Sequence, residues 1–247
     1  MQSAEGTAGA AFMDSLCGEY RRHNQIDPAD YERYHVKRGL RNPDGTGVMA
    51  GVTQIGSVLG YYVQDGERFP APGKLLYRGI DIEELIDGFV GEGRFGFEET
   101  AYLLLMGALP DRAQLEGFRA LLAQYRALPP MFTEDMILKA PSRDVMNKLA
   151  RSVLALYSYD DNPDDLALSN QLRQAVALIA RVPTIVAHAF AVKRHYYDNE
   201  SLYIHRPQPE LGVAENFLYS VRHDNQFTRQ EARLLDLCLV LHAEHGG

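Results

Sequence analysis

The sequence predicts a mainly α, multi-helical fold with a small β hairpin near its N-terminus. Two observations support this prediction. Most of the chain places apolar residues at helical spacing, with capping signals where helices begin and glycine or proline where they end. A single stretch, about residues 52–78, breaks this pattern with short runs of Val, Ile and Tyr that are punctuated by Gly, Pro and Asp.

The front of the chain contains the predicted β element. Two short helices are predicted before it, at Phe12–Arg22 and Asp30–Val36. Strands are then predicted near Thr53–Tyr62 and Lys74–Tyr77, with a hairpin-type turn at the letters QDGE. These strands form the predicted β hairpin of about residues 52–78.

The rest of the chain is predicted to be helical. The predicted helices are Ile82–Phe89, the segment GFEETAYLLLMGALP, Asp111 to Ala127, Glu134–Lys139, Arg143–Tyr157, about Asp164 to His195, Glu215–Val221, and about 228–245. Capping boxes open two of them, one formed by Asp111 with Gln114 and the other by Thr228 with Glu231. Pro183 lies inside the long helix, where it removes a backbone donor, so a kink or a break is expected there.

Composition excludes several classes of protein. The 247 residues are 46% hydrophobic and 23% charged, which is typical of a soluble protein, and the net charge of −8 disfavours a general nucleic-acid or anionic-membrane surface. No basic secretory leader and no run of roughly 18 uninterrupted apolar residues is present. We therefore expect a soluble, cytoplasmic protein. Cys238 lies in an apolar run and is expected to be a buried free thiol.

The segment VLHAEHGG contains the most informative pair of polar residues. If the final helix continues to residue 245, His242 and His245 lie about 60° apart on one face. Spacing alone allows structural histidines, a general base or nucleophile, recognition of an anion such as a carboxylate, or a metal site. The metal site is the weakest, because zinc-protease helices space their histidines by four and no third ligand is evident.

Four segments, in order along the chain, resemble citrate synthases. LHAEHGG resembles the family segment in which a helix ends in L-H-x-[DE]-H, and GKLLYRGIDIEELI resembles the strand-into-helix segment around Y-R-G. LIARVPTIVAHAF and GVAENFLYSV are similar to the proline-containing helix and to the segment that leads to the histidine helix. Together they extend from about Val52 to Gly247. The sequence is thus identified as resembling the N-terminal portion of a bacterial citrate or 2-methylcitrate synthase.

The resemblance implies a specific chemistry. Citrate synthases condense acetyl-CoA with oxaloacetate and hydrolyse the citryl thioester to citrate and CoA, with no metal and no permanently bound cofactor. It implies that His245 contacts oxaloacetate, that His242 is its orienting neighbour and that Arg41 reaches CoA. We interpret Arg78 as structural, because guanidinium groups near tight turns usually pair with local carboxylates or carbonyls.

The resemblance also limits what these residues can do alone. The family's catalytic histidines lie in G-P-x-H-G and G-[FM]-G-H motifs, and neither motif occurs in the 247 residues. We therefore expect an incomplete citrate-synthase-like large domain over residues 1–247, with no catalytic residue and no activity by itself. The family also implies a homodimer through helices that include the histidine helix. The alternatives are a 2-methylcitrate synthase, a non-catalytic helical dimerising protein derived from the family, and a small metal-dependent hydrolase.

Overall fold

The computed structural model describes residues 27–33, 39, 41–42, 44–47 and 54–244. The chain divides into two compact units, Met1–Val52 and Thr53–Gly247.

The first unit contains helix α1 (Pro28–Arg33). The carboxylate of Asp27 accepts a hydrogen bond from Ala29 N at 2.9 Å, so the helix begins two residues before the predicted Asp30. The predicted helix Phe12–Arg22 lies outside the described residues.

The second unit opens with the predicted hairpin. Strand β1 (Gly56–Gln64) pairs antiparallel with β2 (Glu67–Tyr77), and the short strand β3 (Ile80–Asp81) pairs with the end of β2. Asp65 and Gly66 have φ angles of 51° and 82°. Two consecutive positive φ angles are typical of the type I′ turn, whose twist matches that of paired strands. The turn at QDGE is thus confirmed.

Strand β2 is longer than predicted, whereas β1 begins at Gly56 and ends two residues beyond the predicted Tyr62. Pro70 and Pro72 argue against a strand in the sequence, yet both lie within β2. Among the described residues, β3 pairs with β2 only at Leu76 and Tyr77. The two prolines, which have no backbone N–H to donate, therefore need no hydrogen bond to β3. A shift in register next to Gly60 accommodates the proline-rich part of β2.

Helices form most of the remaining described chain. They are α2 (Ile82–Gly91), α3 (Phe97–Met106), α4 (Arg112–Tyr125), a π-helical segment (Thr133–Leu138), α5 (Val145–Ala155) with a 3-10 turn (Leu156–Tyr159), α6 (Leu168–Tyr197), α7 (Val213–Val221) and α8 (Arg229–Leu241). Gly107 ends α3 with a φ of 86°, and both predicted capping boxes are present. The prediction of a mainly α fold with one small β element is confirmed.

Helix α6 is the central element of this unit. It packs against α4, α5, α7 and the π-helical segment. The helix runs without interruption through Pro183, so of the two predicted outcomes the break does not occur. By length and composition α6 could also cross a membrane, with a mean hydropathy of 1.8 over its most apolar 18-residue window. Half of that window is buried inside the fold, as in the core helix of a soluble protein.

Three apolar clusters form the core of the part of the chain that the structure describes. The first joins Tyr77 of β2 to Leu85 and Phe89 of α2, Leu103 of α3 and Val240 of α8. The second lies between α3, α4, α6 and α7, and the third lies between α6, the π-helical segment and the turn after α5. The first cluster determines the functional geometry, because it packs the base of the hairpin against the end of the last described helix.

Candidate functional site

The candidate site is the C-terminal end of α8, which carries the first of the two histidines. Helix α8 is joined to the start of α3 by the side chain of Asp236, which is only 2% exposed. The two carboxylate oxygens accept hydrogen bonds from Gly96 N at 2.7 Å and Phe97 N at 3.1 Å, the first amides of α3. Burial raises the pKa of Asp236 to about 6, despite these two hydrogen bonds. A carboxylate on α8 therefore caps α3 from 140 residues away.

The helix ends earlier than predicted. Its last residue is Leu241, and His242 occupies the C-cap with φ −104° and ψ 6°. The prediction that the helix continues to about residue 245, with both histidines on one helical face, is therefore wrong. His245 itself lies outside the described residues, and its contact with oxaloacetate stays a prediction.

The side chain of His242 is exposed, and a hydrogen bond fixes its tautomer. The Nδ1 atom lies 2.7 Å from Cys238 O, which also accepts the backbone N–H of His242 at 3.1 Å. A carbonyl oxygen only accepts, so Nδ1 carries the proton in this bond. In the neutral ring Nε2 is then the acceptor, and in the charged ring it becomes a donor. Only the charged imidazole can therefore donate to an oxygen atom of a small carboxylate through Nε2.

Tyr77 determines where α8 ends. Its ring is fully buried, and its hydroxyl lies 2.8 Å from Val240 O, 3.3 Å from Leu241 O and 2.9 Å from Glu244 O. Glu244 N donates to the same hydroxyl oxygen at 3.2 Å. The last carbonyls of a helix have no partner within the helix, and the hydroxyl proton supplies one here. Burial raises the pKa of Tyr77, so the hydroxyl keeps its proton at neutral pH.

Gly56 provides space for the residue between the two histidines. It is the register partner of Tyr77 at the base of the hairpin. A Cβ atom at position 56 would overlap the carboxylate of Glu244. Gly56 also lines an open cleft of about 390 Å³ together with Gln54, Ser57, Leu76, Arg78, Gly79 and Gly107. The histidine turn is thus packed on the hairpin base beside an open cleft.

The other predicted residues have different surroundings. Nε and Nη2 of Arg78 donate to Leu104 O near the end of α3, the second bond at 2.6 Å, which is the predicted structural role. Arg41 belongs to the first unit, is exposed, and donates to Gly45 O at 3.1 Å. Its contact with CoA stays a prediction.

Cys238 is free but exposed, so the prediction of a buried thiol is wrong. Asp236 and Val240 are buried and lie four residues apart on one face of α8. Cys238 lies two residues from each of them and therefore on the opposite face. Among the described residues, no group of three or more His, Cys, Asp or Glu side chains is placed to bind a metal ion.

Sequence reasoning missed Tyr77, Gly56 and Asp236. A signal for Tyr77 is present in the sequence, since it lies in the YRG segment that carries the family resemblance, next to Arg78. Neither Gly56 nor Asp236 has a local signal, because their partners are more than 130 residues away in the chain.

Comparisons with known proteins agree on one family. A family model described as "Citrate synthase, C-terminal domain" matches residues 43–247. The glyoxysomal citrate synthase of Cucurbita maxima is 34% identical over 187 residues, which cover 70% of this chain and 34% of that protein. The crystal structure of citrate synthase from Pyrobaculum aerophilum superposes with a TM-score of 0.64 at 30% identity, covering 83% of this chain and 49% of that one.

A third similarity shows the fold alone. The citrate synthase of Thermoplasma acidophilum, solved in a ternary complex with carboxymethyl coenzyme A and oxaloacetate, superposes with a TM-score of 0.65 at 19% identity. It covers 81% of this chain and 46% of that one. The chain spans from 34% to 49% of the length of the curated relatives that it matches. Since the family model matches well over half of its residues, this chain belongs to the citrate synthase family.

Proposed function

We propose that this chain supplies the oxaloacetate-contacting histidine segment of a citrate synthase, which converts acetyl-CoA, oxaloacetate and water to citrate and CoA. The observation that carries the proposal is the turn at the end of α8. There, an exposed imidazole with a fixed tautomer lies on a rigid base formed by Tyr77 and Asp236. His245 contacts the substrate in this proposal, and His242 orients that segment.

Oxaloacetate binding to the 247-residue chain is the direct test. The assay follows the histidine ring resonances of the ¹⁵N-labelled protein by NMR while oxaloacetate is added. We expect the His245 ring to respond most, with weak saturable binding because an arginine clamp on the substrate carboxylates needs more than one side chain. The variant His245→Ala should abolish saturable binding, whereas His223→Ala, an exposed histidine elsewhere, should leave it unchanged. Equal affinity in all three proteins would contradict the proposal.

We also propose that the 247-residue chain has no citrate synthase activity by itself. The family's enolate-forming motifs do not occur in these residues, and substrate binding cannot replace proton abstraction in the transition state. A free-thiol assay with acetyl-CoA and oxaloacetate checks this point, with the Pyrobaculum aerophilum citrate synthase as the positive control. We expect no CoA release above the buffer rate. Release by the pure chain that is lost in His245→Ala would show that it is a complete catalyst.

We also propose that the chain forms a homodimer through α8, works in the cytoplasm and needs no metal or resident cofactor, with acetyl-CoA as a substrate only. The support for the dimer is that α8 leaves apolar side chains in solvent, with Leu234 65% and Leu241 44% exposed. The support for the cytoplasm is a composition typical of soluble proteins, with a net charge of −8.

A further inference from the structure

We infer that the Gly56–Tyr77 pair at the base of the hairpin is a positioning device for the histidine turn. This inference rests on the proposed function in one respect, namely that the turn binds substrate. The two residues are neighbours in the strand register, and both lie against Glu244 of the same turn. Tyr77 binds the backbone on both sides of His242, and Gly56 leaves the space that the Glu244 side chain occupies.

The hydroxyl is the only group of the Tyr77 side chain that a phenylalanine would lack. Its proton faces Val240 O, Leu241 O and Glu244 O, while its oxygen accepts from Glu244 N. Removal of the hydroxyl leaves the carbonyl of Val240, a fully buried residue, without this donor, and frees the turn that follows. The ring would still fill the first core cluster, so the substitution separates positioning from packing.

The Tyr77 hydroxyl affects His242 through the backbone of the neighbouring residues. The imidazole bonds to Cys238 O one helical turn earlier, which requires His242 to keep its C-cap dihedral angles. Tyr77 bonds to Leu241, immediately before that position, and to Glu244, two residues after it. A loosened turn would break the bond between Nδ1 and Cys238 O, and the neutral ring would return to the Nε2–H tautomer that free histidine prefers.

The test compares two variants at the hairpin base with two matched controls on the same hairpin. The variants are Tyr77→Phe and Gly56→Ala. The controls are Tyr61→Phe, whose ring is 45% exposed, and Gly60→Ala, where a Cβ atom would meet nothing within 4 Å. The measurements are the tautomer of neutral His242 by ¹⁵N NMR and the amide hydrogen exchange of residues 240–244, with exchange in α3 and α4 as the internal reference.

We expect Tyr77→Phe to shift His242 towards the Nε2–H tautomer and to speed exchange at 240–244 about tenfold, as for the loss of one hydrogen bond. We expect Gly56→Ala to have a smaller effect in the same direction, because its Cβ atom would meet the end of the flexible Glu244 side chain, which can move. Exchange in α3 and α4 should stay unchanged, and both controls should match the wild type. The variant Glu244→Ala removes the side chain that Gly56 accommodates, so Gly56→Ala should have no further effect in that background.

Two results would overturn the inference. One is a wild-type tautomer and wild-type exchange in Tyr77→Phe. The other is a parallel rise of exchange in every helix, which would make Tyr77 an ordinary core residue. A parallel titration with oxaloacetate keeps the two proposals apart: no binding to the wild type refutes the proposed function, while the tautomer and exchange data still decide the positioning role. Where the wild type binds, Tyr77→Phe should bind about tenfold more weakly.

Discussion

Replacement of Asp236 by alanine should cost about 3 kcal/mol of unfolding free energy at pH 5. The Asp236 carboxyl group, which is mostly protonated at pH 5, accepts the first two amides of α3, at 2.7 and 3.1 Å, and the N-cap residue Gly96 has no side chain that could cap the helix. Loss of an N-cap typically costs about 1 kcal/mol, and each buried amide left without an acceptor costs about 1 to 3 kcal/mol. Asp236 is 2% exposed, so water cannot readily replace it.

The cost should be smaller at high pH. The pKa of Asp236 is raised from 3.8 to about 6 by burial, so the folded state binds the proton more tightly than the unfolded state. The stability that this carboxyl contributes is complete below pH 3.8 and is lost as the pH rises through 6. Between pH 5 and pH 8 this loss amounts to about 1.4 kcal/mol. The alanine variant has no such loss, so its deficit should fall to about 1.5 kcal/mol at pH 8.

Urea denaturation followed by helical circular dichroism at pH 5 and pH 8 measures both values. The comparison of the variant with the wild type at each pH cancels the titration of the other groups. Asp111→Ala is the matched control, since Asp111 caps α4 at an exposed position and should cost about 1 kcal/mol. A deficit for Asp236→Ala that grows from pH 5 to pH 8 would show that the hydrogen bonds outweigh burial, and it would refute this account.

Two further predictions concern the core and the surface. His188, 6% exposed, contacts Thr133 Oγ1 through Nδ1 and His205 O through Nε2, and burial lowers its pKa below 6.5. The folded state therefore resists protonation and loses stability as the pH falls below about 6.5, so His188→Gln should show a shallower loss between pH 7 and pH 5 in urea denaturation. Leu234→Lys should halve the mass of the proposed dimer in light scattering, whereas Leu166→Lys, at an 81% exposed position outside α8, should not; a wild-type monomer would contradict the dimer.

Local signals predicted most of the elements correctly. The letters QDGE specify a turn with two positive φ angles, and the Thr228 and Asp111 capping boxes mark the helix starts that the structure shows. These signals succeed because turn and cap chemistry acts within four residues. The extent of β2 was missed, because whether Pro70 is tolerated depends on which edge of the strand is paired.

The sequence by itself determined the helical class, the position of the hairpin and the family, since each follows from periodicity, caps and short motifs. Only the tertiary structure decided where the histidine helix ends and what holds its last turn. Those features depend on Tyr77, 163 residues before Val240, and on Asp236, 140 residues after Gly96. No local pattern encodes such partners, because a hydrogen bond across the core depends on how whole helices and strands pack against each other.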